Sequence, residues 1–417
     1  MFDRDTWQEI FASLEKHKLR TALTALGVFW GIFMLIFMLG MGSGLRNAIF
    51  RDFGNHAKNV MYVWSSGTSL PYQGFQPGRT PRLNMEDVDY LLENVEGVDY
   101  IAPRTTVPGN ITKGEIVESY EIRGELADMI KVEGFRVYKG RYIHPSDVAE
   151  SRKVIVIGKR VAEVLFGAGN WEAAIGQSLT ANGVEFKVVG VFGPERIKPW
   201  TESDLEATVI PLTTMHRSFG TGGRIHYFAL SALPNYKVSD IENKVNSILK
   251  SRHHVAPNDP RGIGGFNLEE QFDRINGLFN GIGLFLWIVG IGTLIAGVVG
   301  VSNIMIITVK ERTKEIGIRK AIGATPGMII RSILTESVFI TLISGYLGLL
   351  AGVVVIGGID VVMEWIEVDV DMFYNPQVSF QVAIGALLIL VVSGTLAGLI
   401  PALMAARVNP VVALKDE

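Results

Sequence analysis

One stretch, residues 304–352, constrains this chain more than any other. It reads IMIITVKERTKEIGIRKAIGATPGMIIRSILTESVFITLISGYLGLLAG. Two long apolar runs flank a compact block that carries Lys310, Glu311, Arg312, Lys314, Glu315, Arg319 and Lys320. Charge this dense is too costly inside the hydrocarbon of a bilayer, so the block must be a short aqueous loop between two membrane spans.

Four runs have no Asp, Glu, Lys or Arg: residues 21–45, 275–309, 337–359 and 375–406. Each exceeds the roughly 20 residues that cross about 30 Å of hydrocarbon. The first is too long for the 7–15-residue core of a cleaved leader, so it reads as a retained anchor. A mean hydropathy of +0.28 fits the same class. The block between the first two runs has ordinary globular composition and enough length for a core of its own.

The expected fold is therefore an α-helical membrane protein with four transmembrane helices. A mixed α/β extracytoplasmic domain is inserted between helices 1 and 2. The boundaries read as an amphipathic cytoplasmic helix at 1–20, helix 1 at 21–45, and the external domain with its stalk at 46–274. Helix 2 follows at 279–309, the charged loop at 310–331, helix 3 at 333–359, a short external loop at 360–376, helix 4 at 379–406, and a tail at 407–417.

Flanking charge sets the orientation. Arg4, Lys16, Lys18 and Arg20 precede the first run, and Lys310, Arg312, Lys314, Arg319, Lys320 and Arg331 fill the loop after the second. Arg407 and Lys415 follow the fourth, whereas the loop after the third holds Asp360, Glu364, Glu367, Asp369 and Asp371 with no Lys or Arg. Both termini and the 310–331 loop are thus expected in the cytoplasm, and the large domain outside. Trp7, Ile10, Phe11, Leu14 and Lys18 recur at helical spacing, as in a helix lying on the cytoplasmic membrane face.

Several functions are disfavoured. A formal charge of −3 gives no reason to expect nucleic-acid binding. With no cysteine, disulfides, thiol catalysis and zinc–thiolate sites are excluded. No metal-ligand spacing or nucleophile constellation stands out. His253-His254 reads as a surface pair, and Asp87 with Asp89 as solvated acids. Glu336 lies about five residues past Arg331, at the start of the third span, which admits an ion relay but also contact with a headgroup or an Arg near the surface.

Strands are expected at 154–157, 186–191 and 207–212, with a short helix at 163–166 and a hairpin turn at Asn182-Gly183. Residues 240–252 have helical spacing, and the Pro- and Gly-rich segment after them reads as a loop returning to the membrane. Small residues recur at four-residue spacing in the spans and are expected to let helices pack closely, within the chain or across a dimer. They are Gly27 and Gly31, then Gly292, Ala296 and Gly300, then Gly348 and Gly352, then Gly394 and Gly398.

The charged loop has its own grammar. Residues 312–322 are good helix formers, Gly323 suits a left-handed helix terminator, and Thr325-Pro326 offers an N-cap with Pro at the first helical position. Its core, ERTKEIGIRKAIGA, resembles the ATPase-docking loop of MacB-type and FtsX-like ABC transporter permeases. The likeness extends to SLEKHKLRTALTALGVFWG at 13–31, to RKVIVIGKRVAEVLFG and GVEFKVVGV in the external block, and to IPALMAARVNPVVALKDE at the end.

That resemblance implies a permease subunit that relays ATP-driven motion to its external domain, exporting or extracting a peptide, lipid-linked or antibiotic-like substrate outside the membrane. The implied coupling residues are Glu311, Arg312, Thr313, Lys314, Glu315, Ile316, Arg319, Lys320, Gly323 and Ala324. Implied partners are a cytoplasmic ABC ATPase, a second copy or close relative of the chain, membrane lipid, and in some systems a periplasmic adaptor with an outer-membrane channel. No GxxxxGK[ST] phosphate loop occurs, so ATP and Mg are expected on a separate ATPase polypeptide, with no cofactor and no catalytic site here. A lipoprotein-releasing or cell-wall-hydrolase-activating complex is the alternative within the family. A membrane-anchored sensor or adhesion domain without an ATPase is the alternative outside it.

Overall fold

A computed structural model of the chain describes residues 18–52, 58–199, 201–366 and 373–413. The amphipathic helix expected at 1–20 lies almost wholly outside them, as do Glu367, Asp369 and Asp371. The chain divides into a helical unit, Met1–Arg51 with Gly277–Glu417, and an α/β unit, Asp52–Asn276.

Among the described residues, four helices are long and apolar enough to cross a membrane: Lys18–Asp52, Leu268–Glu311, Pro326–Trp365 and Phe380–Ala406. The second has 44 residues, about 66 Å at the helical rise, so it outruns the hydrocarbon layer. The chain passes from the α/β unit back into the helical one inside this helix. Leu284, Ile288, Val354 and Leu388 are each more than 60% exposed. Bulky side chains turned outward on all sides suit a lipid surround, not water.

Close helix approach rests on small residues. A Cβ on Gly31 would stand 3.2 Å from the Leu294 backbone, and one on Gly27 3.6 Å from Gly297. A Cβ on Gly348 would come within 2.5 Å of the Phe29 carbonyl, and one on Gly352 within 2.7 Å of the Ile36 side chain. A Cβ on Gly398 would come within 2.7 Å of Ser337 and one on Gly394 within 3.1 Å of the Val338 backbone, while Ser337 Oγ donates to the Gly394 carbonyl at 2.9 Å. The first helix therefore lies between the second and third, and the fourth packs on the third. The expectation for Gly292, Ala296 and Gly300 does not hold within this chain. Ala296 is exposed and both glycines open onto empty space, whereas Gly290 and Gly297 meet Leu35 and Gly27. Four-residue spacing marks a helical stripe without saying which stripe finds a neighbour.

The α/β unit is built on strands β1 (Val60–Ser65), β2 (Leu83–Asn84), β3 (Val98–Lys113), β4 (Ile116–Glu125), β5 (Arg136–Gly140), β6 (Val154–Gly158), β7 (Ser178–Ala181), β8 (Val184–Gly193), β9 (Thr208–Pro211), β10 (Arg224–Ile225), β11 (Tyr227–Ala232) and β12 (Ile263–Asn267). One sheet runs β12-β1-β11-β3-β4-β9-β6-β8-β5, with β7 pairing β3 and β8, and β2 pairs β10 separately. Helices Met85–Asn94 and Val238–Arg252 bury Val88, Leu91, Ile241, Val245 and Leu249 with Met61, Val63 and Phe228 of the sheet. Helices Lys159–Phe166 and Leu212–Phe219 close a second core around Ile155, Ile157, Phe186 and Val188. The long β3–β4 hairpin belongs to both cores.

Asn182 (φ 47°) and Gly183 (φ 82°) form the turn between β7 and β8, the left-handed pair a two-residue hairpin needs. The segment after 252 corrects the sequence reading, since β12 lies within the expected loop and pairs antiparallel with β1. Its Gly264 and Gly265 supply only backbone to the ladder, which leaves no side-chain alternation to read. Asp87 is no solvated acid either. It is 1% exposed, caps the helix with Asn84, and takes Arg252 Nε at 3.0 Å and His253 Nε2 at 2.8 Å.

Candidate functional site

The charged loop between the second and third spanning helices folds as the short helix Thr313–Ala321. It ends as its sequence dictates. Gly323 takes φ 110°, its N–H donates to Lys320 O at 3.1 Å, and Ala324 N–H reaches Arg319 O at 2.9 Å. This is the paired closure in which a left-handed glycine satisfies the last carbonyls. Thr325 then caps the third spanning helix, where Met328 N–H donates to its carbonyl at 3.0 Å, and Pro326 takes the first helical position.

The short helix has two unlike faces. Ile316 is buried among Val309, Ile329 and Ala405. A Cβ on Gly317 would come within 2.6 Å of Ala413 on the terminal helix Pro410–Ala413. Lys320 Nζ donates to Ala406 O at 2.8 Å and Val408 O at 2.7 Å, at the C-terminal end of the fourth spanning helix. An ammonium there meets otherwise unpaired carbonyls and the negative end of the helix dipole. Residues 316, 317 and 320 share one side of a helix, and that side clamps this loop to the end of the chain.

The opposite side faces out. Lys314 and Glu315 are exposed, and Arg319 Nη2 reaches Glu315 Oε1 at 2.6 Å on the surface. Ile318 is 44% exposed, Ile322 82% and Met328 64%. The outer side thus sets open apolar side chains beside a charged patch. Glu311 is also exposed, while Thr313 Oγ1 turns back to Lys310 O at 2.7 Å. Arg312 points the other way, with Nη1 3.2 Å from Glu336 Oε2. The carboxylate of Glu336 is thus a local ion-pair partner of the loop, which leaves the relay reading without support.

The structure therefore splits the ten coupling residues expected from sequence. Lys314, Glu315 and Arg319, with Glu311, present an outer face, whereas Arg312, Ile316 and Lys320 build the platform behind it. Gly323 and Ala324 terminate the helix. Sequence reasoning passed over Ile318, Ile322 and Gly317. The first two could have been found by noting isoleucines four apart on an otherwise charged helix.

Comparisons with known proteins agree on both units. A family model described as the MacB-like periplasmic core domain matches residues 21–248, more than half of the chain. One described as the FtsX-like permease C-terminal matches residues 287–410, which include the short helix and its platform. The chain is 28% identical over 405 residues to the pyoverdine export ATP-binding/permease protein PvdT of Pseudomonas entomophila, covering 96% of this chain and 58% of that one. It is 28% identical over 419 residues to the macrolide export ATP-binding/permease protein MacB of Wolinella succinogenes, covering 98% and 60%. The chain thus spans about 60% of the length of these relatives. A solved periplasmic region of MacB from Actinobacillus actinomycetemcomitans aligns with a TM-score of 0.44 at 18% identity, covering 55% of this chain and 97% of that one.

Proposed function

The chain belongs to the FtsX-like ABC transporter permeases that carry a MacB-like periplasmic core domain, and from that premise we propose that it is a mechanotransmitting exporter subunit. A separate cytoplasmic ATPase binds the outer face of helix Thr313–Ala321 and drives it. ATP and Mg reside on that ATPase. The chain itself binds no nucleotide, works as a dimer with a second copy or close relative, and sits in a bacterial inner membrane with both termini cytoplasmic.

The observation that carries this reading is the two-faced helix. Its inner face ties residue 316 to the cores of the spanning helices and Lys320 to the end of the fourth. A push on the outer face therefore moves helix ends, not a loose loop. Relatives named for macrolide and pyoverdine export favour an antibiotic-like or peptide cargo over the lipoprotein-releasing and hydrolase-activating alternatives.

Co-purification with the cognate ATPase tests the docking. Ile318→Asp with Ile322→Asp removes two exposed apolar contacts without touching the inner face. The double variant should insert normally and recover at least about tenfold less ATPase than wild type, a change of 1.4 kcal/mol or more. Equal recovery would overturn the assignment of this face.

A further inference from the structure

One strand in the α/β unit is left half-paired. β3 covers one edge of β4 along Ile116–Glu125, but β9 covers the other edge only from Ile122 to Glu125. Among the described residues nothing pairs with the outer edge of residues 116–121. Pro108, which has no N–H, stands opposite Glu121, so that pair is not hydrogen-bonded. By alternation Val117, Ser119 and Glu121 turn their backbone groups away from β3. The Glu121 carbonyl is taken by Thr208 Oγ1 at 3.2 Å. The N–H and C=O of Val117 and Ser119, and the N–H of Glu121, have no partner among the described residues.

Beside this edge opens a cleft of about 480 Å³, lined by Thr106 and Pro108 of β3, Ser119 and Glu121 of β4, and Ser203 and Glu206 near β9. The surroundings are acidic. Residues 115–121 carry Glu115, Glu118 and Glu121, and residues 202–206 carry Glu202, Asp204 and Glu206, with no Lys or Arg in either stretch. Arg123 and Arg160 answer only part of this charge, on Glu121, Asp204, Glu202 and Glu206. Val117 adds an apolar surface that is 58% exposed.

We propose that the free edge of β4 at residues 116–121 binds an extended, cationic polypeptide segment as an added strand. Open edges recruit strands through main-chain hydrogen bonds, and alternate side chains supply specificity. The incoming segment continues the place that β9 occupies one step further on. Its backbone pairs with Val117 and Ser119, its basic side chains reach Glu118 on one face, and its apolar ones lie with Val117 and the cleft on the other. This site lies within the α/β unit and is independent of ATPase docking.

The test is fluorescence anisotropy with the full-length chain in nanodiscs and a labelled octapeptide of alternating Lys and Val. Ser119→Pro removes an outward N–H at an edge position where proline is tolerated, and Glu115→Lys with Glu118→Lys reverses the local charge. Saturable binding should weaken about tenfold in each variant, as expected for the loss of one or two hydrogen bonds or charge contacts. N-methylation of alternate peptide amides should weaken it similarly on the wild-type chain, which decides the matter even if Ser119→Pro folds poorly. Binding indifferent to N-methylation would reduce the effect to charge attraction and overturn the proposal. Absent binding, or loss of self-association in Ser119→Pro without peptide binding, would overturn it too, the latter by giving the edge to a second copy.

Discussion

Asp259 shows how much one carboxylate can organise. It is fully buried and accepts the N–H groups of Ser69, Leu70, Arg261 and Gly262 at 2.7–3.0 Å, with Ser69 Oγ at 2.9 Å. Burial alone would raise its pKa, but these donors hold it well below the usual carboxylate range. A depressed folded pKa stabilises above the unfolded value of about 3.9 and is lost as pH falls through the folded one. Asp259→Asn should therefore cost about 2–3 kcal/mol at neutral pH. In thermal or denaturant unfolding the deficit should stay flat from pH 8 to about 5 and shrink below about 4. A deficit that grew on acidification would refute this. Residue roles of this kind were poorly legible in the sequence. Asp87 and Asp259 sit among ordinary surface-like residues, and only the fold brings donors to them. Lys320 reads as one more charge in a basic loop until the end of the fourth helix is placed beside it.

At the scale of elements, legibility follows how local the cause is. The spans are legible because length and lack of charge decide them, and Gly323 and Thr325-Pro326 because helix ends are set within a few residues. β12 is not, because its partner β1 is distant in sequence and its glycines leave no alternation. The terminal helix Pro410–Ala413 is likewise held by a distant residue, Gly317. Gly317→Leu would force its side chain into Ala413, an overpacking cost of about 1–3 kcal/mol. Hydrogen exchange should then quicken at residues 407–413 while β1–β12 keep their protection. Unchanged exchange at 407–413 would mean the contact does not hold that helix.

At the scale of the molecule, the account joins a helical membrane unit to an external α/β unit and assigns the drive to a partner. The absence of cysteine makes its topology easy to probe. With an impermeant maleimide on intact cells, Glu115→Cys should label directly and Lys314→Cys only after permeabilisation. Labelling of residue 314 from outside would reverse the orientation. The central claim, that ATP drives the external units through helix Thr313–Ala321, is tested most directly by spin-label distances between the two copies in a reconstituted complex with the ATPase. The label goes on Glu115→Cys. Exchanging Glu315→Arg with Arg319→Glu keeps their surface ion pair, worth only about 0.3–0.5 kcal/mol, but inverts what the ATPase meets. The account predicts that ATP shifts the distance distribution in the wild-type complex and leaves it fixed in the exchanged one. A distribution that ignores ATP in wild type, or shifts equally in both, would contradict it.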